Sequence, residues 1–480
     1  MMVRLPSVGG SGARAAVCAV AVLLPACFGL APVGASADTL AGALVQAYQN
    51  NPQINAQRAA VRATDENVPQ ALSGYRPRVS ATASLTEQYS DARSRATSAT
   101  GVTTYTSVYG NAAVQSYGTT VTQTLFNGFQ TANRTRQAES QVSAARETLR
   151  LSEQTVLLAA VTAYMNLLRD TAILDLQRRN VEVLQEQLRQ TRDRFNVGEV
   201  TRTDVAQSES RLAAGRSSML TAESNYTTSR STYRQVVGVE AGRLAPGMAV
   251  DRFAPRVLPQ AVADGRGQHP SVTTATHNVD IALLQVKVAE GALYPTLNLV
   301  GSATKNYGST TSLTTIESFA GSIAGQLSVP IYQGGSEYAT IRQAKETLGQ
   351  RRIELDTNRE QVQQTVVQTW GQLEAAKAQI QATEAQVAAA EIAVNGVREE
   401  ARVGQRTTLD VLNAQQELVN ARVAMVTAQR DRVVASYALL AAVGRLSAQV
   451  LGLKVPLYDP VVHYHQVRDS WAGVRTPDGK

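Results

Sequence analysis

Aromatic residues make up only 5% of the 480-residue chain, too little for several compact cores despite a length that would allow two to four ordinary domains. Reactive-centre residues are equally sparse: four His, two Cys and no dense carboxylate cluster. That composition excludes the usual metal and Cys/His nucleophile constellations, and no cofactor motif is present. No basic stripe with aromatic interleaving occurs, so the formal net charge of +7, which comes mostly from Arg, does not point to nucleic acid. No apolar run of 18 residues follows position 37, so no transmembrane helix is expected. The 44% hydrophobic content nonetheless belongs to a folded protein.

Residues 1–37 read as an export signal. Arg4 and Arg14 form a positive start, Ala15 to Leu30 is mostly apolar, and Ala35-Ser36-Ala37 is a small-x-small cleavage site before Asp38. Cleavage would take the net charge from +7 to +5, because two Arg and no acid are lost. It would also remove Cys18 and Cys27, leaving a thiol-free chain suited to an oxidising compartment. A rival reading treats Leu24-Pro25-Ala26-Cys27 as a lipoprotein acylation site, which Pro25 fits poorly.

The remainder is a duplication. Asn51-Pro52 returns as His269-Pro270 and Pro77 as Pro295, both at an offset of 218. Gly128 returns as Gly334, Val197-Gly198 as Val403-Gly404, Asp204-Val205 as Asp410-Val411 and Gly238 as Gly444, all at 206. The first copy therefore holds 12 extra residues between Pro77 and Gly128, expected in a loop. The predicted organisation is repeat 1 over 38–238, a proline-bearing linker over 239–266, repeat 2 over 267–444 and a tail over 445–480, packed round the helices or disordered. Within the tail, His463 and His465 read as incidental rather than as a metal pair.

Each repeat promises a long rod. Residues 129–197 contain neither Gly nor Pro, and Gly334 to Gly404 repeats the 70-residue spacing of Gly128 to Gly198. The long helices are expected over 129–197 and 336–403, each about 100 Å in length. Shorter partners are expected over 204–237 and 409–443. Along the first partner, Val205, Leu212, Met219, Tyr226 and Tyr233 recur every seven residues, with Ser208, Gly215, Ala222 and Ser229 three positions after the first four. Val411, Leu418 and Leu439 echo this in the second copy, where a further stripe runs through Leu412, Val419, Val433, Tyr437 and Leu440. A strict heptad keeps one stripe on one neighbour, and two stripes imply neighbours on both sides, as in a helical cylinder. An ordinary antiparallel coiled coil satisfies the helix pattern equally well.

Between Pro77 and Gly128, and between Pro295 and Gly334, the period changes to two. Val79, Ala81, Ala83 and Leu85 alternate with Ser and Thr; Phe319, Ile323, Leu327 and Val329 alternate with Ala, Ser and Gln. These read as four strands of roughly 10 residues, in hairpins over about 78–126 and 296–331, with the texture of outer-membrane barrel strands. The Ser-, Thr- and Gly-rich stretches around Asp91–Tyr109 and Lys305–Glu317 are expected to be extracellular loops. Four strands cannot close a barrel, and an open sheet in lipid leaves backbone groups unpaired. Three copies supply twelve strands, enough for a polar lumen.

In the order and spacing of these pieces the sequence resembles the TolC family of outer-membrane channels, over essentially residues 38–454. The most specific pieces are Leu327 to Gly335, Arg194-Phe195-Asn196-Val197-Gly198 with Thr203-Asp204-Val205, and Val403-Gly404 with Thr408-Leu409-Asp410-Val411-Leu412. The run from Arg192 to Ser210 looks most like the type I secretion branch. The resemblance implies a mainly α fold with membrane β: a homotrimer with a 12-stranded β-barrel continuous with a periplasmic α-helical barrel. It implies a passive exit duct in the cell outer membrane, not an enzyme, working with a periplasmic adaptor and an inner-membrane ABC or other export pump. It places adaptor docking at the tip turns Val197-Gly198 and Val403-Gly404, and a periplasmic constriction at Asp204, Arg406, Asp410 and Asn413. Two departures stand out: the inner ring position is Asn413 rather than an acid, and Ala401 replaces a tie-forming tyrosine. Asp204 and Asp410 also fit a plainer role as stabilisers of helix N-termini, near Thr203 and Thr407-Thr408. The competing functional class is a periplasmic adaptor, a coiled-coil structural protein of an export complex.

Overall fold

The computed structural model describes residues 38–308 and 317–477; the predicted signal peptide with both cysteines and part of the second strand tip lie outside the described residues. The first repeat opens with α1 (Leu40–Asn50), α2 (Pro52–Asp65) and α3 (Asn67–Leu72). Then come β1 (Arg78–Thr97), β2 (Thr103–Asn127), α4 (Gln130–Asn196) and α5 (Arg202–Val237). The second repeat holds α6 (Leu258–Gln268), α7 (Pro270–Gly291), β3 (Thr296–Tyr307), β4 (Glu317–Ser328), α8 (Ser336–Arg402) and α9 (Thr408–Ala442), followed by α10 (Pro460–Val467) in the tail.

The sequence echo at Asn51-Pro52 and His269-Pro270 has a physical basis. Proline at the first helical position has no N–H to leave unpaired, and the residue before it caps the helix. The Asn51 side chain accepts from the Gln53 N–H at 2.8 Å, and His269 Nδ1 accepts from the Ser271 N–H at 3.2 Å. The helices α4 and α8 are each 67 residues long, about 100 Å at the standard rise. No helix of that length is stabilised by propensity alone; each lies along an antiparallel partner, α4 on α5 and α8 on α9. The heptad residues form those seams. Leu212, Ala222 and Tyr233 are buried on α5, and Leu418, Ala421, Ala428 and Leu439 on α9. The second stripe of α9, through Leu412, Val433, Tyr437 and Leu440, is also buried, and α9 touches both α8 and α4. At the break in that stripe Arg430 donates to Asn166 Oδ1 of α4 at 2.8 Å.

The largest core lies at the waist, where α1, α4, α5 and α9 meet around Tyr164, Tyr233, Val237 and Leu440. By hydropathy α4 contains a stretch apolar enough to span a bilayer, but half of that stretch is buried within the protein. Arg266 of α6 reaches Glu360 and Gln363 of α8, and Leu446, Leu451 and Leu453 of the tail pack into the waist core. Glu153 of α4 accepts the Ala448 N–H at 2.7 Å, with burial pushing its carboxyl above the ordinary range. His463 of α10 does not stay idle: buried beside α2, its Nδ1 lies 2.9 Å from Asp65 Oδ2.

The four strands form one antiparallel sheet in the order β1-β2-β3-β4. Above the foot of β2, even-numbered residues pair with even-numbered ones, as in Arg78↔Thr122, Ser302↔Thr120 and Ser302↔Ser322. A bulge between Thr124 and Phe126 shifts the register only at the foot of β2. The odd face carries Val79, Leu85, Tyr109, Tyr117, Phe319, Ile323 and Leu327, all exposed; the even face carries mainly Ser, Thr, Ala and Gly. On β2 the even side is the more covered one: Ala112 is 8% exposed whereas Tyr109, on the other side, is 74% exposed.

The strand lengths correct one expectation. β3 and β4 have 12 residues each, near the anticipated length, but β1 has 20 and β2 has 25. The insertion in the first repeat lengthens strands instead of forming a loop, and Asp91–Tyr109, expected to be loop, is mostly paired ladder with a turn at Ser98–Val102. The inserted segment is rich in Thr, Tyr and Val, residues that suit a pleated surface, and pairing satisfies its backbone more fully than a loop would.

Candidate functional site

The two tips of the rods are built alike, atom group by atom group. At the end of α4 the Gly198 N–H bonds the Phe195 carbonyl at 2.9 Å and the Glu199 N–H bonds the Arg194 carbonyl at 2.9 Å. At the end of α8 the Gly404 N–H bonds Ala401 at 3.2 Å and the Gln405 N–H bonds Glu400 at 2.9 Å. This paired closure needs a left-handed residue, and both glycines have φ of +80°. Nothing lies within 4 Å of where a Cβ would project at either glycine, so backbone conformation alone selects Gly there. Val197 and Val403, the residues just before, are each 72% exposed, an apolar side chain offered to solvent at each tip.

Three residues after each glycine the chain starts the return helix with a capping box. The Thr201 hydroxyl accepts from the Asp204 N–H at 3.3 Å, while Asp204 Oδ2 accepts from the Thr201 N–H at 2.9 Å. Thr407 and Asp410 repeat this at 3.2 and 3.0 Å. The cap in the first repeat is thus Thr201 and not Thr203; the Thr-x-x-Asp spacing at 201–204 and 407–410 was the legible signal. Hydrogen bonds from the Thr201 hydroxyl and backbone hold the Asp204 carboxyl below its usual pKa, and the Thr407 backbone and hydroxyl do the same for Asp410. Both acids therefore serve as helix-terminus stabilisers within one subunit.

Arg406 pairs with Glu400 at 2.9 Å, a tie within its own tip, and Arg194 pairs with Glu199 at 3.0 Å in the other. Asn413 accepts from Arg211 of α5 at 2.6 Å, so the position lacking an acid is used instead to join the two helix pairs. Arg211 escaped the sequence reading because the lateral register between α5 and α9 is not encoded in any local pattern, and Glu400 because its tie to Arg406 depends on how the turn between them folds back. Ala401 contributes only its carbonyl to the turn.

Between the tips lies a groove of about 800 Å³. Its walls differ in sign. The first repeat contributes Glu182, Glu186, Glu199 and Asp204 with a single Arg194; the second contributes Arg398, Arg402 and Arg406 and no acid. Arg402 and Arg406 each retain a carboxylate partner on their own hairpin, Glu399 and Glu400, so the contrast is a local polarisation rather than bare charge. Asp204, Gly404 and Arg406 all line this groove, while Val197, Gly198 and Val403 belong to the turns beside it and Asp410 and Asn413 to the helix behind. No group of three or more His, Cys, Asp or Glu side chains able to hold a metal occurs among the described residues.

The chain matches the outer membrane efflux protein family over residues 43–239 and 263–445, two segments that coincide with the two repeats. It is 44% identical over 455 residues to the outer membrane efflux protein BepC of Brucella suis, covering 93% of this chain and 94% of that one. It is 28% identical over 459 residues to the outer membrane protein TolC of Escherichia coli, covering 92% and 90%. Among solved structures, the CmeC outer membrane channel of Campylobacter jejuni superposes with a TM-score of 0.72 at 16% identity, covering 90% of this chain and 89% of that one. With its duplicated strand–rod plan, its four-stranded sheet and these matches along nearly its whole length, the chain belongs to the outer membrane efflux protein family.

Proposed function

We infer that this protein is the outer-membrane exit duct of an export system, of the drug-efflux or type I secretion kind. One observation carries the reading: a sheet of four strands, with exposed apolar side chains such as Val79, Leu85, Ile323 and Leu327 on its odd face over the part nearer the helices and an even face uncharged but for Arg78, ends at two strands with no partner on their outer side among the described residues. In lipid each unpaired backbone group costs several kcal/mol, so β1 and β4 need partners from other copies. Three copies supply twelve strands and enclose a polar lumen. The rods, about 100 Å long, then continue that lumen into the periplasm as a helical barrel.

The duct is passive. No constellation of catalytic groups occurs among the described residues, and work is supplied by an inner-membrane pump, an ABC transporter or another exporter. The tips are the reading's docking site for a helical hairpin of a periplasmic adaptor: Val197 and Val403 provide apolar contacts, and the polarised groove provides register. Asp204, Arg406, Asp410 and Asn413 constitute the constriction, with closure held by ties such as Arg406–Glu400 and Arg211–Asn413. The adaptor reading loses ground on the sheet: soluble use of that sheet would leave a broad apolar face in water.

Membrane fractionation and planar-bilayer recording test this directly. An SDS-resistant species of three chains in the outer membrane, forming conducting channels, is expected. A soluble or inner-membrane species would overturn it. Asp410→Asn should reduce cation preference, because three such carboxylates would converge near the axis; unchanged preference removes Asp410 from the pore wall.

A further inference from the structure

The strand register sorts the charges of the sheet with little ambiguity. Above the bulge at the foot of β2, pairing joins even to even residues across all four strands, and the large exposed apolar side chains sit on the odd face, which leaves the even face for the lumen. Gly118, Thr82 and Thr304 meet on it: a Cβ at Gly118 would lie 3.0 Å from the Thr82 hydroxyl and 3.7 Å from that of Thr304. Ser302 and Ser322 hydrogen bond there at 2.9 Å. The charged residues of the strands fall almost entirely on the opposite face. Glu87, Asp91, Arg93, Arg95, Lys305 and Glu317 are all odd-numbered, and Lys305 pairs with Glu317 at 2.6 Å on that side. Even-numbered positions 78–96, 104–124, 296–306 and 318–328 carry uncharged side chains with one exception, Arg78.

Arg78 is the first residue of β1, directly after Pro77, and its Cα partner is Thr122. It therefore stands at the end of the sheet that joins the helices. It is exposed, and its even-face neighbours across β2, β3 and β4 are Thr122, Val300 and Ala324, none of which can neutralise it. From this placement we propose that Arg78 is a specificity-determining residue of the duct: three copies form a ring of guanidinium groups at the inner mouth of an otherwise uncharged barrel, where multivalent oxyanions bear on it. The proposal rests on the trimeric-duct reading above. The chemistry is that of any guanidinium cluster, which favours phosphate, sulfate and carboxylate groups and can bond them in a bidentate manner. An uncharged wall of Ser, Thr, Gly and Ala beyond the ring offers no competing fixed charge along the barrel. Within the sheet, fixed charge on that face is then concentrated at the Arg78 ring.

The experiment is block of single-channel current by tripolyphosphate added on the extracellular side, which approaches the ring through the barrel without crossing the tips. At low ionic strength, where screening is weak, the wild-type channel should be blocked in a voltage-dependent way. Arg78→Gln should raise the half-blocking concentration about tenfold, and Arg78→Glu should abolish block. Arg93→Gln, which alters an outer-face charge, should leave it unchanged. Equal block of wild type and Arg78→Gln overturns the ring while leaving the duct intact, as does an equal effect of Arg93→Gln. If the wild-type protein forms no channel, the duct reading fails and the ring with it.

Discussion

The two repeats are one design executed under different constraints, and where they agree is as instructive as where they part. At the tips they agree to within a few tenths of an ångström: the same glycine geometry, the same capping box and the same separation along the chain. In the sheet they diverge, the first hairpin running to 20 and 25 residues and the second to 12 and 12. A helix–turn–helix tip allows few solutions, because orphan N–H and carbonyl groups must be met within a five-residue turn. A hairpin beyond the membrane can grow by residue pairs, since each added pair satisfies its own backbone. Conserved geometry thus marks the end where packing is over-determined, and variation marks the end that is free to lengthen.

The comparison can be broken most forcefully in the buried cores, Tyr233 in the waist and Leu439 in the cluster of α6, α7, α8 and α9. Tyr233 and Leu439 occupy equivalent positions in the repeats and both are fully buried. Tyr233→Ala should cost roughly 3–5 kcal/mol and Leu439→Ala roughly 2–5 kcal/mol. Thermal or denaturant unfolding in detergent checks this; a negligible loss at either site would show that the two repeats do not use this position alike. The caps come next. Thr201→Ala and Thr407→Ala should each destabilise their first helical turn by about 1 kcal/mol, and by similar amounts. Hydrogen exchange at Asp204 and Asp410 amides reads this locally, and a large difference between tips would break the equivalence.

Acid sharpens the same point. Asp204 and Asp410 have folded-state pKa values held below the usual carboxylate range by their Thr partners. A depressed carboxylate contributes stability that is fully present above its unfolded value, about 4, and is lost as pH falls through the folded value. Both tips should therefore begin to exchange faster together below about pH 4, and Asp→Asn at either should remove the pH dependence there only. The smallest effect belongs to the exposed ion pairs. Glu199→Gln and Glu400→Gln should each change stability by about 0.2–1 kcal/mol at low salt and less at high salt.

Much of this was legible without coordinates, for identifiable reasons. Gly and Pro punctuate the chain where only they fit, so Gly128, Gly198, Gly334 and Gly404 marked the rods. Period-seven and period-two patterns follow from which side chains must face a neighbour, so the α5 and α9 seams and the two-faced sheet could be read directly. The length of β1 and β2 could not, because Thr, Ser and Tyr serve strands and exposed turns alike. The Arg211–Asn413 and Arg430–Asn166 bonds depend on how helices distant in sequence slide along each other, which no local pattern records. The packing of the tail is not legible in the sequence because its partners, such as Asp65 for His463, sit some 400 positions away.

Counting the subunits bears most directly on the whole account. Native mass spectrometry of the processed protein released from detergent should report three chains in one particle, since that number completes the wall begun by β1 and β4. A stable single chain in detergent-free buffer, with both edge strands unpaired, would contradict it.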